Sequence, residues 1–131
     1  MAWRGWPEAN GAPCDFVLGQ ADLTGLDHNR GAYFPTASAL NMPFGLCVRD
    51  ERLILAETAN SPLLGFLDGL HMDASTSRLA GRRDFRQKGD IRWAPAVRDS
   101  LFWPYGLAAC GPMSAIADSG DRRVLHWDAS Q

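Results

Sequence analysis

Two stretches of the sequence place arginine beside an aromatic residue: Asn29-Arg30 with Tyr33 close behind, and Arg92-Trp93 after Ile91. Arginine and aromatic side chains together anchor protein interfaces, because each buries a large flat surface and fixes a direction. The other role for such an arginine is to bond backbone carbonyls inside an ordered loop. A second concentration of charge runs from Arg78 through Arg82, Arg83, Arg86 and Lys88 to Arg92, with Asp84 and Asp90 as its acids. That cluster suits an acidic partner or RNA, or else forms a solvated face balanced by acids elsewhere. The candidate binding residues are therefore Asn29, Arg30, Tyr33, Arg82, Arg83, Arg86, Arg92 and Trp93.

Other chemistry has little support. His28, His71 and His126 share no metal-ligand spacing, and no nucleophile elbow, P-loop or dinucleotide fingerprint occurs. Cys14, Cys47 and Cys110 are an odd, widely spaced set without a C-x-x-C pair, which reads as reduced thiols in a cytoplasmic protein. Asp50-Glu51 and Asp118/Asp121 fall in turn-rich runs, where acids bond the local backbone or solvent. No catalytic residue, metal or cofactor is expected, although a site assembled from several elements stays open.

The elements that position these residues are short. With 131 residues the chain makes one small domain or a piece of a larger one. Thirteen Lys+Arg against 15 Asp+Glu leave a charge of −2, against a dedicated nucleic-acid or anionic-membrane binder. No run approaches the ~20 apolar residues of a membrane span, and MAWRGWPEANG lacks the apolar core of a secretory signal. Thirteen Gly and eight Pro are scattered along the chain, and no segment keeps a helical apolar period, so the fold class is all-β.

An internal repeat organises the strands. NMPFGLCVRDERLILAETANSPLLGF, from Asn41, recurs 61 residues later as FWPYGLAACGPMSAIADSGDRRVLHW, from Phe102. Upstream, GQAD at Gly19 recurs 62 residues later as GRRD at Gly81. Strands are expected at Gly45–Val48, Arg52–Ala56, Pro62–Phe66 and Arg78–Gly81, then at Gly106–Ala109, Ser114–Ala117 and Arg123–Trp127. Asp15–Gly19 is expected as a further outer strand, and the Pro-aromatic-Gly triplets as turns. Leu46, Leu55, Leu64, Leu107, Ile116 and Leu125 should be buried, with Trp103 and Trp127 packed between units. Four antiparallel strands per repeat is the pattern of a propeller blade.

The runs Pro43-Phe44-Gly45-Leu46 with LILAETANSPLL, and Pro104-Tyr105-Gly106-Leu107 with ADSGDRRVL, resemble the NHL repeat. NGAPCDFVLGQADLT is similar to the linker between blades in a bacterial subgroup of NHL-repeat propellers. Glu57 and Pro62 depart from the Asp and Arg usual in that repeat. The resemblance implies two NHL-type blades offset by one strand: residues 1–20 the outer strand of a preceding blade, 21–82 the first repeat and 83–131 the second. It implies a non-enzymatic binding or scaffold module working through its loops. The alternatives are a propeller lyase or lactonase, or RNA binding as in some eukaryotic NHL propellers. Two blades cannot close a ring of 4 to 8, so either the chain is a fragment of a longer propeller, or another protein or further copies of the chain complete the ring, three copies making six blades.

Overall fold

The computed structural model describes residues 1–88 and 95–128. Among them the chain is all-β, with seven strands in two antiparallel sheets and helical geometry confined to turns of three or four residues. The first sheet holds β1 (Pro43–Arg49), β2 (Arg52–Glu57), β3 (Leu63–Phe66) and β4 (Arg78–Ala80) in chain order. The second holds β5 (Pro104–Cys110), β6 (Met113–Asp118) and β7 (Arg123–Asp128), again in chain order. No helix among the described residues is long and apolar enough to cross a membrane.

The repeat is reproduced in register. Leu46 pairs with Leu55 and Leu55 with Leu64, as Leu107 pairs with Ile116 and Ile116 with Leu125. Each inner hairpin turns in two residues. Asp50 and Glu51 both take positive φ, the demand of a type I′ turn, whereas Gly111 alone does so before Pro112. The Pro-aromatic-Gly triplets are not turns before the strand. They lie inside β1 and β5, and the register shifts at Pro43/Gly45 and at Pro104/Gly106 make each a β-bulge.

Alternation along the strands gives the first sheet two apolar faces. On one, Leu55, Leu64 and Phe66 pack with Leu40 and Ala74, flanked by Leu18, Leu53, Leu79 and Phe85. On the other, Ala56 and Leu63, with Ile54 and Ala80 beside them, meet Leu101, Ile116, Leu107, Leu125 and Trp127 of the second half. The sheets touch along β1 and β5, with β2 also against β5, and their outer strands diverge.

Three expectations need correction. Asp15–Gly19 is not a strand: within it only Phe16 pairs, through an isolated bridge to Ala2, since no neighbouring sheet offers it a ladder. The second repeat therefore has three strands among the described residues, against four in the first. Leu46 is 65% exposed, because no described residue covers that side of β1, whereas its half-buried counterpart Leu107 packs between the sheets. Trp127 joins the inter-sheet core, but Trp103 stays exposed and stacks on Phe102 at 4.7 Å.

The upstream match also has a structural counterpart. Gly19 (φ 88) and Gly81 (φ 81) are both left-handed, and a Cβ on either would strike the side chain of Leu40 or Leu101, 2.6 and 2.7 Å away. Leu40 and Leu101 are themselves separated by the 61-residue repeat. Only glycine satisfies both the torsion and the contact.

Candidate functional site

Alternation places Arg49, Arg52 and Arg78 on the face of the first sheet that looks toward the second, in register with Ile54 and Leu63. Across from them β7 presents Arg123, Leu125 and Trp127. The diverging sheets thereby enclose a cleft of about 950 Å³. Arg82 and Arg83, just beyond β4, and Arg98, from the β4–β5 connection, complete its rim. Among the described residues, seven arginines thus line one cleft with Asp50 and Asp99 as its acids, in a chain whose formal charge is −2. Ile54, Leu63, Leu125 and Trp127 give it an apolar floor.

The arginines divide by what holds them. Arg123 is fixed: its Nε donates to Asp118 Oδ2 at 2.8 Å, Nη2 sits 3.2 Å from Asp121, and Nη2 also donates to the carbonyls of Val97 and Ser100. Arg49 ties the two sheets together by donating to the Pro112 carbonyl at 2.5 Å and to Ser114 Oγ at 3.3 Å. Arg82 Nε reaches the Asn60 carbonyl at 3.4 Å. The side chains of Arg52, Arg83 and Arg98 are exposed and make no hydrogen bond or ion pair among the described residues. Guanidinium groups in that state offer their planar forks to carboxylate or phosphate oxygens.

The sequence-predicted residues do not converge on one site. Arg82 and Arg83 line the cleft, while Arg86 is exposed elsewhere and its backbone N–H bonds Asp84. Asn29 is buried, exchanging amide hydrogen bonds of 2.9 and 3.3 Å with Asn60. Arg30 donates to the Gly19 carbonyl at 3.3 Å, and its Nη2 lies 2.6 Å from Asp73 Oδ1, a charge contact without an aligned N–H. Asn29 and Arg30 both take left-handed backbone torsions, a cost met by those bonds. They are thus engaged in ordering their own loop. Tyr33 stands exposed beside Phe34, with Lys88 Nζ 4.0 Å over its ring, at a separate open depression of about 630 Å³. Arg92 and Trp93 lie outside the described residues.

Sequence reasoning missed Arg49, Arg52, Arg98 and Arg123. Arg49 and Arg52 flank the Asp50-Glu51 turn as a cross-strand pair, a visible signal once the hairpin is recognised. Arg123 stands where the first repeat has Pro62. Among the described residues, no group of three His, Cys, Asp or Glu could hold a metal ion.

The repeated turn acids are backbone clamps. Glu57 Oε1 accepts from Met42 N at 2.6 Å and Asn41 N at 3.3 Å, and Oε2 from Asn60 N at 3.0 Å. Its counterpart Asp118 accepts from Phe102 N at 2.6 Å. Burial pushes the Glu57 carboxyl above the ordinary glutamate range, outweighing the N–H donors that pull it down. The folded pKa is raised, so the stability this group contributes is full below the unfolded pKa and is lost as pH rises through the folded one. The stability difference between wild type and Glu57→Gln should accordingly shrink as pH rises from about 4 to about 7. Urea midpoints across that range measure it, and a constant difference would show that the carboxyl titrates as in the unfolded chain.

No family model matches the chain, and no curated protein matches it.

Proposed function

We propose that the chain is a non-enzymatic binding and scaffold module of NHL-type propeller blades, and that its cleft takes an acidic, partly apolar segment of a partner protein. The two sheets are then two blades, the second with three of its strands among the described residues. What supports the blade reading is the repeated bulge, hairpin, turn acid and Gly-Leu contact, in sheets whose strands follow chain order. The single observation carrying the binding function is the lining of seven arginines over an apolar floor. The floor and the half-buried Trp127 favour a peptide with apolar side chains over RNA, which would need stacking platforms along a basic track. No observation among the described residues favours the lyase or lactonase reading. A second copy of the chain is a further protein partner on this reading.

The test is fluorescence anisotropy with a labelled extended peptide of alternating Glu and Leu. Binding should weaken with salt, and Arg83→Ala/Arg98→Ala should cut affinity roughly tenfold, or about 1.4 kcal/mol. Both side chains are exposed, so the fold should survive. Equal binding by wild type and variant, or tighter binding of single-stranded RNA of matching length, would overturn the proposal.

A further inference from the structure

We infer that the chain assembles head to tail with further copies of itself, through the same surfaces that already join its two blades. This rests on the blade reading above, and it shares with the arginine-lined cleft only the β7 edge around Leu125 and His126. Residues 61 apart occupy equivalent places in the two blades, so the packing inside the chain defines one docking operation. In it, the front of the second blade (Leu107, Ile116, Leu125) covers the rear of the first (Ile54, Ala56, Leu63). The complementary pair is left bare. Leu46, the front residue equivalent to Leu107, is 65% exposed, and Val48 beside it is also exposed. Val124, the rear residue equivalent to Leu63, is 63% exposed, whereas Leu63 itself is only 4% exposed. Leu107 and Leu63 of the internal interface thus have exposed twins at the opposite ends of the molecule, whereas Leu55 and Leu64, the twins of Ile116 and Leu125, are already covered by Leu40, Phe66 and Ala74.

Close approach and polar groups follow the same rule. A Cβ on Gly45 would stand 2.5 Å from the Tyr105 carbonyl oxygen, whereas at Gly106 it would meet, among the described residues, the Cβ of Ala117 across the strand pair and nothing else within 4 Å. A second copy seated by the same operation brings its Phe44 carbonyl against Gly106. Thr58 Oγ1 donates to the Pro104 carbonyl between blades at 2.5 Å. The equivalent Ser119 is exposed, and the second copy's Pro43 carbonyl is its acceptor. By the 62-residue offset, the second copy's Phe16–Leu18 falls opposite Val124–His126 of β7, as β4 lies opposite Leu63–Gly65. β7 pairs only with β6 among the described residues, so this adds the fourth strand its blade lacks.

A contact between two different surfaces of the same chain grows head to tail and closes when the rotation permits. Three copies give six blades, inside the propeller range. Light scattering on the full chain at micromolar concentration should return the mass of a trimer. Leu46→Asp disables the front and Val124→Asp the rear. Both sites are exposed, so each variant should stay folded by circular dichroism and run as a monomer. Mixed, they should form a 1:1 dimer through their two intact faces and grow no further. A monomeric wild type, or a mixture that stays monomeric, overturns the inference. Glu/Leu peptide binding by the Leu46→Asp monomer reports on the cleft alone, so the two proposals fail independently.

Discussion

Asp118→Ala should destabilise the fold by about 3 kcal/mol, the low end of the cost of breaking a buried ion pair by removing one partner. Asp118 is fully buried, accepts the Phe102 N–H at 2.6 Å and receives Arg123 Nε at 2.8 Å. Alanine would leave that N–H without its acceptor and strip the guanidinium of its nearest counter-charge. The loss stays at the low end because Asp121 and two carbonyls still hold Arg123. A total stability of roughly 5–15 kcal/mol makes such a loss visible as a large fall in the urea midpoint. Asp118→Asn keeps an acceptor for Phe102 and should fall between the two. A midpoint within error of wild type for the alanine variant would mean that the buried carboxylate clamps nothing.

Gly45→Ala is the second large effect, expected at about 1–3 kcal/mol of destabilisation, the usual cost of overpacking. Removing a glycine from a strand ordinarily helps, by about 0.5–1 kcal/mol. Here the new methyl would lie 2.5 Å from the Tyr105 carbonyl oxygen and 3.1 Å from Leu107 N, both backbone atoms of β5 that no rotamer change can move. The sheets must separate along the line where they touch. Gly106→Ala meets only the Ala117 methyl at 3.2 Å and should cost a few tenths of a kcal/mol at most in the isolated chain. Thermal unfolding of the two variants, each made in the monomeric Leu46→Asp background, gives the comparison, and equal midpoints would contradict the close packing of β1 on β5.

The seven strands were legible because alternating apolar residues and dense turn formers sit in the same places in both repeats, and a β-strand reads locally. The turn acids were legible for the same reason: Glu57 and Asp118 act on backbone within their own repeat. Asp15–Gly19 has strand composition, but a strand exists only with a partner, and Ala2 offers a single bridge. Leu46 and Leu107 hold the same place in the repeat pattern and read alike as core, yet only Leu107 meets a neighbouring sheet. Sequence records the kind of surface a residue makes, whereas its exposure depends on which neighbour arrives. The arginine cleft was the least legible feature, since Arg49, Arg52, Arg98 and Arg123 come from separate elements and meet only when the sheets dock.

Pairing of every strand with its neighbour in sequence also bears on how the chain acquires and loses structure. Ladders of that kind close small loops, so each sheet can nucleate on its own hairpin before the two dock, without the slow search that distant pairing imposes. In the first sheet β2 and β3 are then protected on both faces, by the cluster around Leu64 on one and by the second sheet on the other. In the single chain the second sheet is protected on one face only, and the outer edge of β7 has no partner among the described residues. Native-state fluctuations should therefore begin at β7 and run inward through β6, leaving β2 and β3 as the slowest-exchanging part of the molecule.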